Sequence, residues 1–281
     1  MALPADFDLD DFVNRTLAED LGTGGDVTST ATIAEDARFT AEMNARQPIV
    51  VAGIEIAAAF FRALDAEVKI EVLVEDGNRA GRGATLMRLT GNARAMLAAE
   101  RSALNTLQHL SGIATVARTY VDAIAGTGGV LLDTRKTIPG LRVLEKFAAR
   151  MGGAHNHRMR LDDGVLIKDN HVAVCGGVAE AVRRAKAANT GLQVQVEVDR
   201  IDQIEPALAA GADRLLLDNM DPAKLREAVT LVAKRVPLEA SGGVTLETIR
   251  FLAETGVDFI SVGRITQSAP AVDIGLDYSL D

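Results

Sequence analysis

The sequence contains a single cysteine, Cys175, and no long hydrophobic run. One cysteine cannot form an internal disulfide or a cysteine-based zinc site, and it fits a reducing compartment. No apolar run reaches the roughly 18 residues that a membrane helix needs. The acidic N-terminal segment, MALPADFDLDDF, lacks the basic and apolar regions of a signal peptide. We therefore expect a cytoplasmic protein without a membrane segment.

Positive charge is also in the minority. The 281 residues include 30 Lys and Arg against 39 Asp and Glu, so the formal net charge is -9. Because there is no basic tail, binding to nucleic acid or to an anionic membrane is disfavoured. Common catalytic motifs are absent as well: the sequence has no GxxxxGK[ST] loop, no GxGxxG before a helix, no HExxH and no legible Ser/His/Asp arrangement.

The basic residues that are present concentrate in one segment, residues 130–171. The segment holds three of the four histidines and the following Lys and Arg residues: Arg135, Lys136, Arg142, Lys146, Arg150, Arg158, Arg160 and Lys168. So much local positive charge in an acidic protein indicates a bound anion. Arg makes two-point contacts to carboxylate or phosphate and Lys is a point charge, so we expect a ligand with several anionic groups. Arg142, Lys146 and Arg150 recur at helical spacing and are interpreted as a solvated helix face.

From Val130 onward, short apolar runs alternate with amphipathic helical patterns. Six runs predict buried strands: Val130–Leu132, Val165–Ile167, Val194–Val198, Leu215–Leu217, Leu238–Ala240 and Phe259–Val262. Such strands require parallel pairing and right-handed crossovers, as in an α/β barrel or a doubly wound sheet. Polar groups follow strand after strand, which favours a barrel because its strand ends meet at one rim. Six strands instead of eight predict an incomplete TIM-like α/β barrel.

The first part of the chain has a different pattern. It predicts a helix at Ile54–Leu64 and these strands: Phe39–Asn44, Ile49–Val51, Val68–Val74 and Thr85–Leu89. We expect an α+β sandwich domain over residues 1–111 and the barrel domain over 112–272, with 273–281 returning to the first domain. The boundary is set at a break near Ser111-Gly112 in a long helical pattern.

Several strand ends carry candidate site residues. Arg135, Lys136 and Lys168 follow the first two strands, where a functional role is favoured over a solvated surface. Glu197 lies within a core strand and Asp218 directly follows one, and a carboxylate there is costly unless it is paired, hydrogen-bonded or metal-bound. The two acids could hold magnesium or ribose hydroxyls. A structural ion pair is the alternative.

The loop Ser241–Gly243 precedes a helical stretch, as in the phosphate-binding loops of barrels, and Gly263 and Arg264 could complete it. A turn that merely needs glycine is the alternative. For His157 and Arg158, functional and structural roles are evenly balanced. The residues alone thus indicate a barrel enzyme for a substrate with phosphate and carboxylate groups, and they leave the reaction open.

Two motifs carry a specific resemblance: DTRKTIPGLR at Asp133–Arg142 and LIKDNH at Leu166–His171. With LLLDN at Leu215–Asn219 and EASGG at Glu239–Gly243, the chain resembles the quinolinate phosphoribosyltransferases over nearly its whole length. The resemblance implies transfer of the ribose phosphate of phosphoribosyl pyrophosphate to the ring nitrogen of quinolinate, with loss of the C2 carboxylate. The products would be nicotinate mononucleotide, pyrophosphate and carbon dioxide, within NAD biosynthesis.

The resemblance also implies roles for individual residues. The residues that would bind the two carboxylates are Arg101, Arg135, His157, Arg158 and Lys168. Lys136 would bridge toward the pyrophosphate, while Glu197 and Asp218 would hold ribose hydroxyls and magnesium and stabilise positive charge at the anomeric carbon. The residues that would bind the phosphate are Ser241, Gly242, Gly243 and Gly263. Members of this family are similar in being dimers that exchange the arginine matching Arg101, so a homodimer is expected.

The chain departs from the family pattern at two places. Arg264-Ile265-Thr266-Gln267-Ser268 replaces the commoner Ala-Leu-Thr-His-Ser, so Arg264 could substitute for the missing histidine. Arg160 could join the cationic pocket or point outward. Two other functions are kept as alternatives. Lys168 could form a Schiff base in an aldolase-like barrel, or the chain could be a non-catalytic, transport-associated relative that binds a small anion.

Overall fold

The computed structural model describes residues 7–279, in two compact units. Unit 1 combines residues 7–118, Val143–Gly153 and residues 268–279, and unit 2 combines Thr119–Arg142 and Ala154–Gln267. Residues 1–6, at the start of the acidic N-terminal segment, and residues 280–281 lie outside the described part. The domain division expected from the sequence stays a prediction.

Unit 1 is built on an antiparallel sheet. The elements of the first part of the chain are α1 (Leu9–Leu21), α2 (Val27–Thr32), β1 (Arg38–Ala45), β2 (Ile49–Val50), α3 (Ile54–Leu64), β3 (Lys69–Val72), β4 (Arg79–Ala80), β5 (Thr85–Asn92) and α4 (Ala93–Ala123). The final strand β12 (Ile274–Ser279) pairs with β1, giving the order β12-β1-β5-β3, while β2 and β4 form a separate pair. Alternate residues of β1 are buried, as expected for a sheet with one covered face.

Helix α4 runs without interruption for 31 residues, so the break expected at Ser111-Gly112 is wrong. A serine and a glycine are weak helix formers, but here both are buried. A Cβ added to Gly112 would lie 2.2 Å from the carbonyl oxygen of Pro270. Close packing of the helix against backbone therefore explains the glycine, and its residue type does not mark a boundary.

Helix α5 (Arg142–Met151) also corrects an expectation. Lys146, interpreted as part of a solvated face, is 0% exposed, and so is Glu145. Every residue from Leu144 to Ala149 is buried, so no face of this helix is fully solvated. The Glu145 carboxylate lies 2.9 Å from His109 Nε2. Helical spacing of cations identified the helix correctly but not its surroundings.

Unit 2 is a parallel α/β structure. Its elements are β6 (Val130–Leu132), β7 (Val165–Ile167), α6 (Asp169–Cys175), α7 (Val178–Ala187), β8 (Val194–Val198), α8 (Ile204–Ala209), β9 (Arg214–Asp218), α9 (Pro222–Val232), β10 (Leu238–Ser241), α10 (Leu246–Ala253), β11 (Phe259–Ser261) and α11 (Arg264–Gln267). A short 3₁₀ turn, Ile201–Gln203, precedes α8. The six strands coincide closely with the six predicted runs.

The strand order β6-β11-β10-β9-β8-β7 is that of a barrel with one opening. Strands β7 to β11 are neighbours in sequence order, and β6 pairs with β11. Over residues 7–279 no pairing joins β6 to β7, and the free edge of β6 carries only a bridge between Leu132 and His155. The prediction of an incomplete barrel is confirmed.

The register of the sheet brings the carboxyl ends of its strands to one rim. Ser241, the last residue of β10, is aligned with Asp218, the last residue of β9. Ser261 of β11 is likewise aligned with Leu132 of β6. Because all six strands are parallel, the segments that follow them begin at the same edge, where barrels hold their active sites. Among the described residues, no helix is long and apolar enough to cross a membrane.

Candidate active site

Two carboxylates lie on neighbouring strands at this rim, Glu197 on β8 and Asp218 at the end of β9. Burial raises the pKa of Glu197, and the charges of Asp218 and Asp169 raise it further, while Lys168 opposes them. Within residues 7–279, no Lys or Arg lies within ion-pair distance of either Glu197 or Asp218. The structure therefore gives no support to the structural ion pair and leaves two close carboxylates that favour a cationic ligand.

Lys136, just beyond β6, is fixed across the ends of β6 and β11. Its backbone carbonyl accepts a hydrogen bond from Thr266 Oγ1 at 2.8 Å. Its side chain runs directly over Gly263, where an added Cβ would lie 2.7 Å from Lys136 Cδ. Gly263 thus leaves the space that the lysine side chain occupies, which is a role that the sequence pattern did not indicate.

We expect Gly263→Ala to fold normally but to lower kcat by about 10- to 100-fold, because Lys136 is expected to act in the reaction and even a small displacement of such a group is costly. The added methyl meets a flexible side chain, so Lys136 moves and the backbone stays. Gly81→Ala is the matched control, since a Cβ there has no neighbour within 4 Å. Steady-state kinetics and circular dichroism of both variants check this. Unchanged kcat in Gly263→Ala would show that the position of Lys136 does not matter.

Two arginines, Arg135 beyond β6 and Arg158 before β7, are near enough for their charges to interact. Burial lowers the pKa of Arg158, and the charge of Arg135 lowers it further, with Asp163 acting in the opposite direction. Arg158 Nη1 donates to the carbonyl of Gly164 at 2.9 Å. Arg135 Nε is buried and has no hydrogen-bond partner among the described residues. Two interacting cations, one with an unsatisfied donor, are the arrangement that a bidentate anion would complete.

His157 has protein partners at its backbone N–H and at both ring nitrogens. Its backbone N–H donates to Asp133 Oδ1 at 2.8 Å, and Asp133 is fully buried. Its ring Nδ1 accepts the backbone N–H of Arg158 at 2.8 Å, and its Nε2 lies 3.5 Å from Glu239 Oε2. A cavity of about 350 Å³ borders His157 and Arg158, but its lining also includes Gln193 and Arg214, at the amino ends of β8 and β9. It is therefore distinct from the rim that carries Glu197 and Asp218.

Lys168 directly follows β7 and occupies the N-cap position of α6. Its backbone N–H donates to His171 Nδ1 at 2.9 Å, which fixes the start of the helix. The side chain is exposed, whereas a Schiff-base lysine is usually activated by burial. The charge of Lys168 acts to lower the pKa of Glu197, so the lysine belongs to the same rim as Glu197 and Asp218.

The loop after β10 contains two glycines in left-handed conformations, Gly242 with φ 94° and Gly243 with φ 58°. A Cβ on Gly242 would lie 2.1 Å from Asn219 Oδ1, and the Asn219 N–H donates to the carbonyl of Ser241 at 2.9 Å. Backbone conformation and packing against Asn219 thus explain Gly242. Phosphate binding by the Ser241–Gly243 loop stays a prediction, supported by its position before α10.

The remaining arginines have distinct surroundings. Arg264 is exposed at the start of α11. Its charge acts to lower the pKa of Tyr120, which burial raises, and it also lowers the pKa of Glu247. Both residues belong to unit 2, as Arg264 does. Arg160 is exposed and pairs with Asp162 at 2.9 Å, so it points outward. Arg101 lies on α4 in unit 1 with its side chain 61% exposed, 3.2 Å from Glu100.

Three polar residues of the barrel interior are not among the residues predicted from the sequence. These are Gln195, Arg214 and Glu239. Glu239 lies within a core strand, as Glu197 does, so a carboxylate inside an apolar run is the signal that could have found it.

Comparison with known proteins agrees with this geometry. The N-terminal domain of quinolinate phosphoribosyl transferase matches residues 26–111, and the C-terminal domain of the same family matches residues 113–277. The chain belongs to the quinolinate phosphoribosyltransferase family. The resemblance seen in DTRKTIPGLR and LIKDNH is confirmed by these matches.

Relatives in this family cover almost the whole chain. The nicotinate-nucleotide pyrophosphorylase [carboxylating] of Mycobacterium leprae is 44% identical over 95% of this chain and 96% of its own length. A probable enzyme of the same name from Bacillus subtilis is 41% identical over 95% of the chain and 92% of its own length. The solved nicotinate-nucleotide pyrophosphorylase of Francisella tularensis is 40% identical, with a TM-score of 0.93, and covers 99% of this chain and 100% of its own. Fold and sequence thus lead to the same family.

Proposed function

We propose that the chain transfers the phosphoribosyl group of phosphoribosyl pyrophosphate to the ring nitrogen of quinolinate, in NAD biosynthesis. The observation that carries the proposal is the guanidinium pair of Arg135 and Arg158, with the buried Arg135 Nε unpaired. Quinolinate carries two neighbouring carboxylates, which suit two adjacent guanidinium groups. Membership of the family supports the same substrate.

The reaction needs positioning more than a strong acid or base. The ring nitrogen attacks the anomeric carbon, and the bond to pyrophosphate breaks with its electrons leaving on the pyrophosphate. The C2 carboxylate then leaves as carbon dioxide, and C2 takes up a proton. Arg135, Arg158 and Lys168 would hold the carboxylates so that the nitrogen faces the sugar, while Lys136 would neutralise the leaving pyrophosphate.

Glu197 and Asp218 would face the ribose. Their two charges would stabilise the positive charge that develops at the anomeric carbon, and their oxygens could accept hydrogen bonds from ribose hydroxyls. The pair also fits magnesium, which prefers one or two carboxylates together with phosphate oxygens. No group of three or more potential ligand side chains occurs among residues 7–279, so substrate oxygens would have to complete its coordination. Bound magnesium would withdraw charge from the leaving pyrophosphate.

Formation of nicotinate mononucleotide from quinolinate, compared with nicotinate, tests the proposal. Arg135, Arg158 and Lys168, which we call the quinolinate clamp, would bind two carboxylates. The clamp therefore predicts turnover with quinolinate and none with nicotinate. Equal turnover of nicotinate would contradict the clamp. Binding of quinolinate without any turnover would favour the transport-associated alternative, and a borohydride-trapped adduct on Lys168 would favour the Schiff-base enzyme.

Arg264→Ala should raise KM for phosphoribosyl pyrophosphate by about tenfold, because one exposed contact to phosphate is lost, and leave KM for quinolinate unchanged. Ser241, Gly242, Gly243 and Gly263 would bind the same phosphate beside it. Arg226→Ala, an exposed arginine on α9, is the control. If KM for phosphoribosyl pyrophosphate does not change, Arg264 does not replace the missing histidine.

A homodimer with exchanged arginines is part of the proposal, in which Arg101 of one subunit completes the clamp of the other. Arg101→Ala and Lys136→Ala should each be inactive alone. Refolding them together should restore about a quarter of the activity, since half of the randomly formed dimers would hold one complete site. Absence of any recovery, or full activity of a monomer in analytical ultracentrifugation, would refute the exchange.

A further inference from the structure

A buried carboxylate in the barrel interior has no place in the mechanism above. Glu239 is 0% exposed on β10, where an ionised group costs several kcal/mol unless it is compensated. Its Oε2 lies 2.7 Å from an Arg214 guanidinium nitrogen, 2.8 Å from Gln195 Nε2 and 3.5 Å from His157 Nε2. Burial acts to raise the pKa of Glu239, but His157, Arg214 and Gln195 together lower it. The carboxylate is therefore held ionised.

Arg214 supplies the matching charge. Its guanidinium lies 3.9 Å from the centre of the Phe259 ring, which holds the cation in place from the other side. Burial lowers the pKa of Arg214, while the charges of Glu239 and Asp258 act to raise it. One buried anion and one buried cation are thus paired at this point in the barrel.

The contacts of His157 define its tautomer. Nδ1 accepts a hydrogen bond from the backbone of Arg158, so it carries no proton, and the proton is therefore on Nε2, facing Glu239. Turning the ring would free the Arg158 N–H and release the backbone that carries this guanidinium next to Arg135. Neither ring nitrogen is left for a carboxylate of the substrate, so a direct contact between His157 and quinolinate would need the ring to turn.

We propose that Glu239 is a positioning residue, which holds His157 in its Nε2-protonated tautomer and thereby fixes Arg158 in the quinolinate clamp. Arg214 keeps Glu239 ionised and Gln195 fixes its orientation. The proposal rests on the proposed function for its effect on quinolinate, but the tautomer itself does not depend on turnover. His157 thus affects quinolinate binding through Arg158 and does not contact the substrate itself.

The test has two measurements. In the wild-type protein, ¹⁵N NMR of the imidazoles, with His157 assigned from a His157→Gln variant, should show a protonated Nε2 and an unprotonated Nδ1. Glu239→Leu, which offers no acceptor to the Nε2 proton, should abolish this single tautomer and raise KM for quinolinate by about tenfold, the effect typical of losing a residue that orients a ligand-binding group. KM for phosphoribosyl pyrophosphate should stay within about twofold of wild type. Glu205→Leu, in the exposed ion pair with Arg235, is the matched control.

The outcomes separate the two proposals. A wild-type His157 with a protonated Nδ1 would overturn the inference without any variant, even if Glu239→Leu failed to fold. An unchanged His157 spectrum and an unchanged KM for quinolinate in Glu239→Leu would also overturn it. Rescue of both by Glu239→Asp, which keeps the charge, would support it. An inactive wild-type protein would refute the proposed function and leave the tautomer measurement valid.

Discussion

Glu197→Gln and Asp218→Asn should each lower kcat by about 100- to 1000-fold, which is the typical cost of removing one electrostatic contact to a transition state. The reason is that an amide has the shape of the carboxylate but cannot stabilise positive charge at the anomeric carbon. Substrate binding should change less than kcat, because the charge develops only during the reaction. Single-turnover and steady-state kinetics with both substrates measure the two effects separately.

The same substitutions should not destabilise the protein. The charge of Asp218 raises the pKa of Glu197, so the two acids repel each other, and removing either charge relieves that repulsion. We therefore expect a melting temperature equal to or above that of the wild type. Asp199→Asn, at an exposed carboxylate beside the same strand, is the control. A variant with normal kcat, or one that loses activity because it unfolds, would contradict the assignment.

Arg135→Met should raise KM for quinolinate by between about 30-fold and 5000-fold, which corresponds to the roughly 2 to 5 kcal/mol of one desolvated charge contact. Arg135 has the largest expected effect in the clamp because its Nε is buried without a partner, so the donor becomes satisfied only when an anion binds. Loss of the guanidinium leaves one substrate carboxylate unpaired. Initial rates at varied quinolinate, with phosphoribosyl pyrophosphate saturating, measure the change.

Arg160→Met is the matched control for Arg135→Met. Both arginines belong to the basic segment 130–171, but Arg160 is exposed and already paired with Asp162. If positive charge in the segment acted only as a general electrostatic field, Arg135→Met and Arg160→Met would raise KM for quinolinate by similar factors. A normal KM for quinolinate in Arg135→Met would refute the clamp.

The strands of unit 2 could be predicted because each is an apolar run buried on both faces, and their polar ends could be predicted because parallel strands end at one rim. Glu197 and Asp218 are found by that argument alone. Burial of Lys146 could not be predicted, because helical spacing does not reveal how many neighbours surround a helix. The continuity of α4 through Gly112 depends on the close approach of Pro270, which lies far away in the chain.

The contacts of His157 could not be predicted for a similar reason. Its ring meets Glu239 on a strand more than 80 positions later, and no local pattern links the two. Gly263 is another case: its residue type matches a family motif, but the reason for it is the path of the Lys136 side chain. The sequence thus predicts which residues lie at the rim. It does not predict the contacts that hold them in place, because these join residues far apart in the chain.

The opening between β6 and β7 has a thermodynamic consequence. Arg135 follows β6 and Lys168 follows β7, and no backbone hydrogen bond joins these two strands in residues 7–279. A dianion bound by both cations would therefore add a link between the two edges, beyond the bridge of Leu132 with His155. Binding of quinolinate should accordingly increase the free energy of unfolding by mass action.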